Sequence, residues 1–315
     1  MRIGKMMAAG LAAIAVVAGL AGCAPAEGLV GRMGAGAGGG ADRILVVGAE
    51  NQYSDVAAQI GGKYVTATAI IQNPNTDPHT FEASVSVAKD LSAARIVVQN
   101  GLGYDDFMTK LESASPSKDR IVITAQDVLG LPNDTANPHL WYDPKTMPAV
   151  AKRIAASLGR IDPSHKAYFA KNLATFDASM KTWGDQLAAF RSTHAGTPVA
   201  VTEPVADDLL KAAGVDVETP WSLQAAIMND TDPSPQDSAL QNALLTGKKV
   251  KALLYNRQVT DQVTERFLRV ARANGIPVVG VSETMPAGYH YQGWMEATLK
   301  ALRVAIETGA STDKR

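Results

Sequence analysis

The chain has 315 residues, enough for two domains with real cores, and its 30 Lys and Arg against 31 Asp and Glu leave a formal net charge of −1. A balance that even creates no steering field for a polyanion, which excludes a nucleic-acid partner. The sole cysteine, Cys23, leaves the folded body without disulfides or thiolate metal ligands.

At the N-terminus, Arg2 and Lys5 precede the apolar run Met6 to Leu20, which reads as an export signal and not as a spanning helix of the mature protein. Leu20-Ala21-Gly22-Cys23 follows at once and resembles a bacterial lipobox, which implies cleavage before Cys23 and a diacylglyceryl group on its sulfur. Residues 1–22 are then a lipoprotein signal peptide; an ordinary export signal with an incidental cysteine is the plainer alternative. The Gly- and Ala-rich stretch 23–42 reads as a flexible tether between membrane and folded body.

Arg43 to Ala49 has the pattern of a buried strand, followed by a helix over Gln52 to Ile60 that stops at Gly61-Gly62. The alternation continues with a strand from Tyr64 to Ile70, a helix near Ser84 to Ala93 and a strand at Arg95 to Val98. A helix from about Asp105, a strand at Ile121 to Ile123 and a helix near Met147 to Leu158 complete this half. From Ser164 to His194, Phe169, Leu173, Phe176, Met180, Trp183, Leu187 and Phe190 recur every three or four residues, the period of an amphipathic helix. Such a helix spans roughly 40 Å at 1.5 Å per residue. Strands return at Val199 to Thr202, Ala252 to Tyr255 and Pro277 to Val281. The fold class is therefore α/β, two lobes with mostly parallel sheets joined by one long α-helix: 43–162, the linking helix 163–195, and 196–315. Periodicity alone also permits one long helix inside a single core.

In open parallel sheets, ligands bind beyond the carboxyl ends of the strands. By that rule His79 follows the strand ending near Ile70, Glu203 follows Val199 to Thr202, and Glu283 follows Val278 to Val281. His139 lies in a proline-framed loop, and both histidines follow a proline that stiffens their approach. If the lobes face each other, these four nitrogen and oxygen donors meet in one cleft. Taken singly, each has a plainer reading as a surface or capping residue.

Three segments occur in order: Asp77-Pro78-His79-Thr80-Phe81-Glu82, Asn100-Gly101-Leu102-Gly103-Tyr104-Asp105-Asp106, and Asn137-Pro138-His139-Leu140-Trp141-Tyr142-Asp143-Pro144. With them the chain resembles the solute-binding proteins of bacterial zinc and manganese ABC importers, over nearly the whole mature length. The resemblance implies one transition-metal ion held between the lobes. His79 and His139 match the first two ligands, Glu203 a third position that takes His or Glu, and Glu283 the last, where the family usually has Asp. His290 is a rival for that last place. Asp207, Asp208 and Asp261 read as solvated or capping, His165 and His194 as surface residues, and Tyr104 and Trp141 as packing residues before site walls.

Two imidazoles and two carboxylates compensate a divalent charge in a low-dielectric cleft, and carboxylate oxygen suits Mn²⁺. Zinc-selective relatives often carry a His-rich loop between the first two ligands, and Thr80 to Pro138 holds no His. Intrinsic affinity favours Zn²⁺, so the expected cargo is one Mn²⁺ or Zn²⁺, with manganese ahead. The implied partners are the permease of an ABC importer and, through acylated Cys23, the outer face of the cell membrane; the expected state is a monomer. A metal-stabilised adhesin is the alternative, and a metallohydrolase the weaker one, because nothing matches a His-Glu-x-x-His helix, a Gly-x-Ser-x-Gly elbow or a phosphate loop.

Overall fold

The apolar runs that alternate with amphipathic stretches pair into two sheets. In the computed structural model, which describes residues 43–73, 76, 81, 87 and 91–313, the first sheet comprises β1 (Ile44–Glu50), β2 (Val65–Ile71), β3 (Ile96–Gln99) and β4 (Ile121–Thr124). Its strands are parallel in the order β2-β1-β3-β4. Helices α1 (Asn51–Gly61), α2 (Phe107–Ala114), α3 (Ala125–Leu129) and α4 (Thr146–Ile161) accompany it. Val46, Ile96 and Val98 face one side, packed with α1 and α4, and Val47 and Val97 face the other with Phe107 and Met108. Burial on both faces is why these strands read as unbroken apolar runs.

A 3-10 turn, Pro163–His165, stops α4 and starts α5 (Lys166–His194), whose 29 residues form the long helix. Phe169, Phe176, Met180, Trp183, Leu187 and Phe190 are its buried stripe, and Leu173 is partly buried. Its first half docks on the first lobe, where Asn172 Nδ2 donates to Ile60 O at 2.9 Å. Its second half docks on the second lobe, where Arg191 donates to Ala212 O at 3.0 Å. Truncating Trp183 to Ala would cost about 3–5 kcal/mol at such a site.

The second sheet repeats the first. It comprises β5 (Pro198–Val201), β6 (Asp216–Val217), β7 (Leu253–Asn256) and β8 (Val278–Val281), parallel in the order β6-β5-β7-β8. With it come α6 (Asp207–Ala213), α7 (Trp221–Met228), α8 (Pro235–Thr246), α9 (Gln262–Ala273) and α10 (Tyr291–Thr308). In each sheet the order reverses beside the first strand, between β1 and β3 and between β5 and β7, which is where such sheets hold ligands.

The expected α/β class with two parallel-sheet lobes and a long connecting helix is what the chain adopts. The two ways of reading that helix also meet. One continuous apolar cluster runs from Val46 and Ile96 through Trp183 and Phe190 to Val201, Leu254 and Trp294, so two sheets share one core. Element ends move by a residue or two: Tyr64 closes a 3-10 turn instead of opening a strand, and the short edge strand β6 has too few residues to show a pattern. The export signal, Cys23 and the tether lie outside the described residues, as does most of the helix expected near Ser84 to Ala93.

Across the cleft, one stripe of α1 is stitched to the loop after β8 and to the start of α10. Asn51 Nδ2 donates to Met285 O at 2.7 Å and Met285 N donates back to Asn51 Oδ1 at 2.9 Å. Asp55 accepts from Tyr291 N at 2.9 Å and pairs with His290 Nδ1 at 2.6 Å; Gln59 and Gln292 exchange amide bonds. Positions 51, 55 and 59 are one helical face, so a single side of α1 carries the stitching.

Candidate functional site

The loop after β3 is bent into its shape by three successive residues with positive φ, Gly101 (87°), Leu102 (58°) and Gly103 (77°). A Cβ on Gly101 would lie 2.8 Å from Gln126 Oε1, so both the φ and the space require glycine there. Asp105 fastens the loop, accepting from Asn100 N at 2.5 Å and Gly101 N at 2.9 Å, and Gln126 Oε1 accepts from Leu102 N at 3.0 Å. Burial, opposed by these bonds, leaves the Asp105 carboxyl pushed up to about 6. The result is that Tyr104 turns inward and its hydroxyl donates to Glu283 Oε2 at 2.9 Å, from one lobe to the other.

His139 is fully buried just before the 3-10 turn Leu140–Tyr142. Asn137 Oδ1 lies 2.8 Å from His139 Nδ1 and accepts from the His139 backbone N at 3.1 Å, while Asn137 Nδ2 donates to Pro204 O at 3.0 Å. An amide oxygen beside Nδ1 assigns the proton to that nitrogen, so Nε2 carries the lone pair. Nε2 stands 3.5 Å from Glu283 Oε2. Trp141 and Tyr104 flank the imidazole edge-on, with ring centroids 5.4 and 5.7 Å away.

Glu203 follows β5 in extended backbone and starts the 3-10 turn Pro204–Ala206; it is 3% exposed. Glu283 follows β8 and is fully buried, its backbone N donating to Gln258 Oε1 at 2.5 Å and its carbonyl accepting from Gln52 at 3.3 Å. Asn256, the last residue of β7, lies between the two acids: Nδ2 donates to Glu203 Oε1 at 3.1 Å and to Glu283 Oε1 at 2.7 Å. One amide therefore serves two buried carboxylates, with an imidazole facing the second.

His139 faces Glu283, and Glu203 joins them through the Asn256 amide. His79 lies outside the described residues. Among the described residues, no group of three or more His, Cys, Asp and Glu side chains is arranged to hold an ion on its own. Three oxygens of that cluster face donors that a cation has to displace, Glu203 Oε1 and Glu283 Oε1 the Asn256 amide and Glu283 Oε2 the Tyr104 phenol. The donor chemistry suits a divalent ion: neutral imidazole and carboxylate oxygens in a dry cleft, where two neighbouring anionic groups gain most from a double positive charge.

His290 is not in the cluster. Its side chain is 71% exposed and holds Asp55 in the α1 stitching. Asp261 caps α9, accepting from Thr264 N at 2.6 Å. The two histidines expected at the surface are partly exposed, His165 at 36% and His194 at 12%, and both also pack. His165 stacks on Tyr64 at 3.7 Å beside Asp162, and His194 stacks on Phe190 at 4.4 Å and reaches Glu307 at 3.2 Å. Asp207 is half-buried, and burial and the Asp208 charge push its carboxyl up to about 7. Tyr104 is a site residue as well as a packing one.

Sequence reasoning passed over Asn137, Asn256 and Glu50. Asn256 ends a strand, and the same rule that ranked Glu203 reaches it. Glu50 ends β1 and is fully buried.

Residues 46–305 match the family described as zinc-uptake complex component A, periplasmic. The manganese-binding lipoprotein MntA of Bacillus subtilis is 24% identical over 281 residues, covering 84% of this chain and 88% of MntA. The periplasmic zinc binding protein TroA from Treponema pallidum superposes with a TM-score of 0.70 at 17% identity, covering 85% of this chain and 99% of TroA. The laminin binding protein Lmb of Streptococcus agalactiae, a bifunctional protein with adhesin and metal transporting activity, gives 0.70 at 20% identity over 84% of this chain and all of Lmb (100%).

Proposed function

The chain belongs to the family of the periplasmic component A of zinc-uptake complexes, and from that premise we propose that it captures a divalent transition metal, Mn²⁺ ahead of Zn²⁺, and delivers it to an ABC permease. The observation that carries this reading is the meeting of His139 from the first lobe with Glu203 and Glu283 from the second, tied by Asn256 and Tyr104 in a fully buried cleft. His79, His139, Glu203 and Glu283 are the proposed ligands. Asn137 orients the His139 ring, and Asn256 and Tyr104 hold the acids until the ion takes their place.

The working position is the outer face of the cell membrane, held there by acylated Cys23, with the protein acting as a monomer. Among the described residues no helix is long and apolar enough to cross a membrane. Named relatives are metal-binding and transport proteins, and the chain acts as a binder, not an enzyme.

The test is titration of the metal-stripped mature protein with Mn²⁺ and Zn²⁺, separately and in competition. One ion should bind per chain. His79→Ala and His139→Ala should each weaken binding about a hundredfold or more, roughly 2.7 kcal/mol. Undiminished binding by both variants would remove the site.

A further inference from the structure

The two sheets share a strand order, and the likeness extends to the residues that end their central strands. Gly48 of β1 lies beside Val98 of β3, so two residues further on Glu50 stands beside Asn100. Val201 of β5 lies beside Leu254 of β7, so two residues further on Glu203 stands beside Asn256. Each lobe thus sets a glutamate next to an asparagine at the point where its strand order reverses.

The two pairs are wired differently. In the second lobe Asn256 donates to Glu203. In the first, Asn100 is turned away from Glu50: its Nδ2 donates to Gly101 O at 2.9 Å and Pro138 O at 2.8 Å, and its Oδ1 accepts from Tyr53 at 2.6 Å. Glu50 is fully buried, and neither carboxylate oxygen has a hydrogen-bond partner among the described residues. It occupies the N-cap position of α1 without a side-chain cap bond. Gly48 keeps it inside: a Cβ there would lie 2.7 Å from Ser54 N, so the chain turns back on itself at the strand end.

A carboxylate taken out of water without a donor is costly, and such a group has to be explained by what it serves. Among the described residues the Glu50 side chain caps no helix and pairs with no other side chain; only its own backbone N–H acts on it as a donor. Burial first, then the negative charges of Asp105 and Glu283, hold its carboxyl well above the usual carboxylate range against its own backbone N–H. Tyr104, which bonds Glu283, feels the Glu50 charge as well, so Glu50 lies within electrostatic reach of the cleft.

We propose that Glu50 is a fifth cation-directed group of the site, the first lobe's counterpart of Glu203, and that it sets the preference for Mn²⁺ over Zn²⁺. The inference rests on the metal-capture reading above. Four ligands already satisfy a tetrahedral Zn²⁺, whereas a further carboxylate oxygen raises both coordination number and negative charge, which benefits the harder Mn²⁺. A cation is also a ligand that a buried acid with no donor from another side chain attracts.

Glu50→Gln keeps the shape and removes the charge. The metal-stripped mature chain is titrated with Mn²⁺ alone and with Zn²⁺ alone, as wild type, Glu50→Gln and His139→Ala. Wild type should bind both ions and His139→Ala neither well. Glu50→Gln should weaken Mn²⁺ by about tenfold or more and Zn²⁺ by clearly less, while its metal-free melting temperature stays level or rises because an uncompensated acid is gone. Unchanged constants, a loss by the same factor for both ions, or a lowered metal-free melting temperature would each overturn the proposal. Failure of the wild type to bind either ion would instead strike the functional reading on which it rests.

Discussion

The Nε2 of His139 stands 3.5 Å from Oε2 of Glu283, an imidazole of one lobe facing a carboxylate of the other. Both side chains are fully buried, so neither is held there by solvent. Glu283→Gln preserves volume and leaves the Tyr104 hydroxyl an acceptor, but it removes the charge. Calorimetric titration should show Mn²⁺ binding weakened about a hundredfold or more. Retention of wild-type affinity would exclude Glu283 from the ligand set.

Asn256 shares one amide between two acids. Asn256→Ala strips both carboxylates of that donor, and a buried acceptor left unmet costs about 1–3 kcal/mol. The metal-free protein should therefore melt several degrees lower. Saturating Mn²⁺ should recover most of the loss, because the ion takes over both oxygens. A loss of equal size with and without metal would mean that Asn256 supports the fold and not the site.

Asp105 and Asp207 give a pH prediction whose sign runs against habit. Their carboxyls are pushed up to about 6 and about 7 by burial, from a value of 3.8 for an unburied Asp. The fold therefore binds their protons more tightly than the unfolded chain does, and its stability rises as pH falls from 7 towards 4. For Asp105 alone this is on the order of 3 kcal/mol. Metal affinity should move the other way, since an imidazole must be neutral to ligate and titrates at about 6.5 when free. Melting curves and titrations at pH 7.5 and 5.5 should thus diverge. A metal-free melting temperature that falls together with affinity would contradict the assignment.

His290 is the residue that proximity in sequence offers as a substitute ligand, and its bond to Asp55 places it in the α1 stitching. His290→Ala should leave Mn²⁺ affinity within about twofold, since its side chain is 71% exposed and bonds Asp55, not the acids of the cleft. A large loss of affinity on titration would restore it as a ligand.

What the sequence disclosed follows from period and position. The long helix was legible because Phe169 to Phe190 repeat at helical spacing, and Glu203 and Glu283 because they end apolar strands. Pairing across the cleft was not legible, since nothing in the spacing of Asn256 or Tyr104 announces a partner far along the chain. Glu50 was open to the same strand-end rule as Glu203 but stands before a helix, where an acid passes as an ordinary cap. The stacking of His165 on Tyr64 and of His194 on Phe190 was not legible, because aromatic pairing leaves no periodic trace.

The apolar seam from Val46 through Trp183 to Val201 and Trp294 ties both sheets into one cooperative body. Heat or denaturant should see a single transition, and a wide clamshell swing would have to tear that seam. Handover of the ion then falls to small shifts in the strand-end loops, a few ångströms of slack being enough to separate an imidazole from its facing acid.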